Sequence, residues 1–176
     1  SQYQRLFNNS LDASIGVRLN PKRSFCNDMR FDPCRPFSKL GLSVDEIPEA
    51  IEGLHFHTVF SNTDYQPLQT AVKCIEDGLG DKLKDLKWLN LGGGYLYQQI
   101  EDHQPFVELV QRLKKQYDLE IYIEPGKAIV GDAGYLVTTV IDSFMSDGKQ
   151  IAVLDTSVNH NPEVFEYQKP PELFDA

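Results

Sequence analysis

Four short strand-like runs are spread over residues 14–123, and no hairpin turn separates any two of them. They are residues 14–20 (SIGVRLN), 53–60 (GLHFHTVF), 87–91 (KWLNL) and 119–123 (LEIYI). β-Branched and aromatic residues in short alternating runs are strand signals. Between the later runs lie two helical patterns. Residues 68–83 place Leu68, Ala71, Val72, Ile75 and Leu79 on one face, and residues 105–117 do the same with Phe106, Leu109, Val110 and Leu113. Pro105 suits a first helical turn, while Gly78 and Gly80 weaken the second half of the earlier helix. Strands joined through helices run parallel, because a hairpin is the only short route to an antiparallel neighbour. The chain is therefore expected to form an α/β parallel sheet, open or closed into a barrel.

The rhythm changes near residue 130. Two extended runs, residues 135–144 and 150–155, flank Ser146-Asp147-Gly148, an Asp-Gly hairpin signal. The reading is thus an α/β portion over residues 1–132 and the start of a β-rich portion over residues 133–176. Residues 22–42 form a long irregular connection with Pro33 and Pro36, a length uncommon in compact domains unless the loop has a task. Ser43 and Glu46 have capping-box spacing. Residues 159–176 carry three prolines and little periodicity, and read as a loop.

Charge narrows the function. The net charge of -9 disfavours nucleic acid, which needs clustered Lys and Arg. No apolar run is long enough to span a membrane, and no secretion signal opens the chain, so a cytoplasmic protein without membrane or nucleic-acid partners is expected. Cys26, Cys34 and Cys74 form no CxxC pair; no disulfide scaffold and no metal site are expected from such a set. His55 and His57, two apart, would share one face of a strand.

Chemistry-bearing residues collect at strand ends. His57 closes the GLHFH run, Gly92-Gly93-Gly94 closes WLNL, and Glu124 closes EIYI. In parallel α/β folds these ends share one edge of the sheet, where ligands bind. The glycines would expose backbone amides to an anion. Glu124 could pair with a protonated ring nitrogen, and His57 could stack on an aromatic ring. Lys127 could neutralise a phosphate. Together these groups complement pyridoxal 5'-phosphate.

The ordered segments IGVRLNP, DPCRPFSKLG, GLHFH, WLNLGGG, IYIEPGKA and VLDTSVNHNPEVFE resemble those of the fold-type III pyridoxal-phosphate decarboxylases, with the last segment pointing to the carboxynorspermidine (carboxyspermidine) branch. The resemblance implies the later half of an alanine racemase-like (β/α)8 barrel running into a C-terminal β-rich domain. By the same resemblance, His57 and Glu124 are catalytic, and His57, Gly92, Gly93, Gly94, Glu124, Gly126 and Lys127 bind the cofactor. His160, Glu163 and Glu166 would bind an amino-acid or polyamine substrate, and a homodimer is the expected assembly. The family's Schiff-base lysine and catalytic cysteine are expected outside this sequence. Departures at Thr58-Val59-Phe60-Ser61, Tyr95-Leu96-Tyr97 and Lys127 leave other basic amino acids (diaminopimelate, ornithine, lysine) open as substrates. A non-catalytic, partner-binding homologue is the alternative to an enzyme.

Overall fold

The computed structural model describes residues 2–7, 12–26, 28–166, 168 and 170–174. After a short helix α1 (Gln2–Phe7), strands β1 (Gly16–Arg18), β2 (Gly53–His55), β3 (Trp88–Asn90) and β4 (Glu120–Tyr122) form one sheet in sequence order, every pair parallel. Helix α2 (Gln66–Leu79) links β2 to β3, and α3 (Gln104–Tyr117) links β3 to β4. A single turn, α4 (Lys127–Val130), follows β4.

The register sorts side chains by face. Val17, Leu54, Leu89 and Ile121 stand in one row across the sheet. Leu54 and Leu89 are buried there among Leu68, Ala71, Val72 and Ile75 of α2 and Leu109 and Leu113 of α3. Burying each such side chain is worth roughly 1.5–3 kcal/mol, so this row holds the helices to the sheet. The opposite face carries two other rows. Gly16, Gly53, Trp88 and Glu120 lie nearer the strand starts, and Arg18, His55, Asn90 and Tyr122 nearer the ends.

Trp88 explains the glycines beside it. A Cβ built on Gly53 would lie 2.0 Å from Trp88 Cδ2, and one on Gly16 would lie 2.3 Å from Trp88 Cη2. The indole therefore lies over Gly53 of the adjacent β2 and reaches on to Gly16 of β1, and its Nε1–H donates to Ser14 Oγ at 2.8 Å.

Several elements differ from the sequence reading. Each strand pairs over three residues, less than its apolar run. In the 53–60 run, Phe56 N–H still donates to the Asn90 carbonyl at 3.1 Å, but the chain then leaves the ladder and reaches a left-handed Ser61. The helix expected over 68–83 starts earlier, with Pro67 in its first turn, and ends at Leu79. Gly80 takes φ +54, and residues Gly80–Asp85 continue as a 3-10 helix. A one-turn helix α5 (Glu163–Glu166) interrupts the stretch expected to be loop; Pro162 before it presets a helical start.

The chain divides into two compact units, Ser1–Ala133 and Gly134–Ala176. In the second unit, β5 (Val140–Ser146) and β6 (Lys149–Leu154) form an antiparallel hairpin. Asp147 and Gly148 both have positive φ at its turn, the geometry that favours Asp-Gly. Cys26, Cys34 and Cys74 are free thiols. Among the described residues, no helix is long and apolar enough to cross a membrane.

Gly53→Ala is expected to cost about 1–3 kcal/mol in urea denaturation, the range for overpacking. The loss should shrink in a Trp88→Leu background, because the clash is with that ring.

Candidate functional site

The strand ends converge as their chemistry requires. Beyond the ladder, backbone bonds carry the pairing two residues further: Leu91 N–H donates to the Tyr122 carbonyl at 2.8 Å and Glu124 N–H to the Gly92 carbonyl at 2.9 Å. This brings the glycine turn against both neighbouring chains. A Cβ on Gly92, which has φ +70, would lie 2.3 Å from Phe56 O, and one on Gly93 would lie 2.1 Å from Glu124 O. Only glycine permits this approach. Gly94 is a packing position of the same kind, against Val59 O, and its carbonyl accepts from Asn62 N–H.

Side chains tie the same three strand ends together. Gly93 N–H donates to His57 Nδ1 at 3.3 Å, so the neutral ring keeps its proton on Nε2. Asn90 Nδ2 donates to Glu124 Oε1 at 2.8 Å, while Asn90 Oδ1 accepts from Gly92 N–H at 2.9 Å. Glu124 Oε2 lies 3.6 Å from His55 Nε2, beyond hydrogen-bond range. His55 Nε2 is buried without a hydrogen-bond partner.

Both imidazoles are held neutral. Burial is the main cause of the lowered His57 pKa, with the Arg18 charge second. Burial also lowers the His55 pKa and outweighs the opposing pull of Glu124. The His55–Glu124 approach is therefore not an ion pair at neutral pH.

His57, Gly92, Gly93 and Glu124 thus meet at one place. Gly126 and Lys127 follow directly at the start of α4, where Lys127 is exposed. His160, Glu163 and Glu166 belong to the second unit. His160 Nδ1 there accepts from Ser157 N–H at 3.3 Å, and Glu163 and Glu166 are exposed on α5.

Sequence reasoning missed His55 as a site residue, and missed Asn90 and Arg18 altogether. Asn90 sits in a run read only as strand, and its role depends on β2 and β4 lying on either side. It also expected no metal site, because no local ligand spacing exists. Ligand atoms of His55, His57 and Glu124 lie within 4.8 Å of one another, although His57 Nδ1 already accepts the Gly93 amide. A concavity of about 820 Å³ on the same sheet face lies toward the strand starts. Asn90 lines it, but His57 and Glu124 do not.

A half-barrel of parallel strands with histidine, glycine turn and carboxylate at successive strand ends is the later half of an alanine racemase-like barrel. The chain is a homologue of the fold-type III decarboxylases, a group of carboxy-lyases. It is 31% identical to a carboxynorspermidine/carboxyspermidine decarboxylase of Herminiimonas arsenicoxydans, over 100% of this chain and 50% of that protein. The crystal structure of Campylobacter jejuni carboxynorspermidine decarboxylase complexed with norspermidine superposes with TM-score 0.79 at 29% identity, over 94% of this chain and 44% of that one. A Helicobacter pylori diaminopimelate decarboxylase complexed with L-lysine shares the fold, with TM-score 0.73 at 22% identity over 95% of this chain and 46% of that one. No protein-family model matches the chain. The chain spans about half the length of the curated relatives it matches.

The lowered histidine pKa values carry a stability consequence. Unfolded imidazoles protonate near the ordinary 6.5, whereas His55 and His57 resist protonation when folded. Below 6.5 the unfolded state binds more protons, so stability falls as pH drops toward the folded values. The urea midpoint is expected to decline from about pH 7.5 to about pH 5.5. A His55→Gln/His57→Gln variant should show a shallower decline over the same range.

Proposed function

We propose that the protein is a pyridoxal 5'-phosphate-dependent decarboxylase acting on carboxynorspermidine or carboxyspermidine in polyamine biosynthesis. The observation that carries this reading is the hydrogen-bonded strand-end cluster, in which His57, the Gly92-Gly93 turn and Glu124 are tied together. The residues fit the cofactor. The fit lies at Glu124, which has one oxygen held by Asn90 and the other without a hydrogen bond; the Gly92 and Gly93 amides, expected to face an anion, are instead given to Asn90 Oδ1 and His57 Nδ1. When bound, the cofactor supplies an electron-withdrawing ring that takes up the electrons left as the substrate carboxylate departs as CO2.

The chain's own residues orient that chemistry. Glu124 holds a proton on the ring nitrogen through its unbonded oxygen, which keeps the ring cationic. His57, neutral and anchored through Nδ1 by Gly93, would lie against the ring without adding a second positive charge. Gly92, Gly93 and Gly94, with Gly126 and Lys127, would border the cofactor's phosphate, and the exposed Lys127 ammonium would attract that anion. For His160, Glu163 and Glu166 of the second unit we propose recognition of substrate ammonium groups, which carboxylates attract. Residues 133–176 are proposed to begin a C-terminal β-rich domain, and the active assembly is proposed to be a homodimer in the cytoplasm.

The test is made on the intact gene product supplied with pyridoxal 5'-phosphate. CO2 release from carboxynorspermidine is expected. Release from diaminopimelate, lysine or ornithine instead would keep the class and overturn the substrate, and release from none would overturn the enzyme. Glu124→Gln should lower kcat by at least about 100-fold, the lower end for loss of a positioned proton-holding group, with an unchanged melting temperature.

A further inference from the structure

The geometry points to Asn90 as a positioning residue whose single amide locks the Glu124 carboxylate to the glycine turn. This inference rests on the functional reading above and adds to it how the carboxylate is aimed. Asn90 is the third member of the row Arg18, His55, Asn90 and Tyr122, so its side chain stands on the site's face of the sheet with β2 on one side and β4 on the other. Its two amide atoms do different work. The oxygen accepts Gly92 N–H at 2.9 Å, and the nitrogen donates to Glu124 Oε1 at 2.8 Å.

The consequence is a division of labour between the two carboxylate oxygens. Oε1 is committed to Asn90. Oε2 is the oxygen left for a cationic partner, with the uncharged His55 Nε2 at 3.6 Å. The side chain of Glu124 is half exposed, so burial alone does not fix its rotamer. One hydrogen bond from a residue anchored in the sheet does so. The amide also transmits position: its other end grips the turn whose next residue, Gly93, holds His57. Aspartate could not replace it, since a carboxylate at 90 would accept from Gly92 but would set two like charges in contact at Glu124.

Two substitutions separate the two halves of the amide. Asn90→Asp is nearly isosteric, retains the acceptor for Gly92 and removes the donor to Glu124. In the intact gene product it should lower kcat by roughly 10- to 100-fold, the range for losing a hydrogen bond that orients a site ligand. It should move the acid limb of the rate profile to higher pH. Asn90→Leu removes both bonds. In cofactor-free protein it should speed amide hydrogen exchange at Gly92 by about 10-fold, the equivalent of one hydrogen bond, while Asn90→Asp should not. A crystal structure of cofactor-free Asn90→Asp should show the Glu124 carboxylate turned away from residue 90.

Wild-type turnover and pH profile in Asn90→Asp would overturn the inference. So would a Glu124 carboxylate unmoved in that crystal structure, or unchanged Gly92 exchange in Asn90→Leu. The exchange and crystallographic readings need no cofactor, so they decide the role of Asn90 even if the protein releases no CO2.

Discussion

The parallel register of the four strands is the constraint on which the rest depends. With a side-chain period of two, it sends Val17, Leu54, Leu89 and Ile121 toward the helices. The same register sends Trp88, Asn90 and His55 to the other face. A one-residue slip of any strand would exchange the two faces and bury polar groups such as His55 and Asn90 against α2 and α3. It would also push Trp88 away from the two glycines that make room for its ring. Hydrophobic burial on one face therefore protects the polar arrangement on the other.

At the strand ends, backbone crowding and chemistry have a common origin. Gly92 and Gly93 are in contact with the carbonyls of Phe56 and Glu124, so the turn is defined by its neighbours before any ligand is considered. The same closeness brings the Gly93 amide to His57 and the Gly92 amide to Asn90. Burial then keeps both imidazoles neutral. Of the groups tied together at the strand ends, only Glu124 brings a formal charge.

Much of this was legible in the residues. The four apolar runs, the amphipathic face of α3 and the Asp-Gly hairpin are local patterns, and each corresponds to an observed element. The element ends were less so. Apolar character continues through Phe56 and Val59, yet the ladder stops: both side chains pack into the core while the chain leaves the sheet. Helix α2 stops where Gly80 adopts positive φ, and an apolar pattern running on to Leu83 conceals that stop; Leu83 is buried from a 3-10 helix instead. His57, the glycine triplet and Glu124 stood out as candidates because strand ends in parallel folds share one edge.

By itself the sequence determined the class of fold and the set of groups at the strand ends, since both follow from periodicities of two and 3.6 and from residue type. Which of those groups touch was decided only by the tertiary structure. Asn90 acquires meaning because Glu124 is 34 residues away in sequence and 2.8 Å away in space, and His55 because burial strips it of charge beside that same carboxylate. Cross-strand register and desolvation are properties of the assembled sheet, and no single segment carries them.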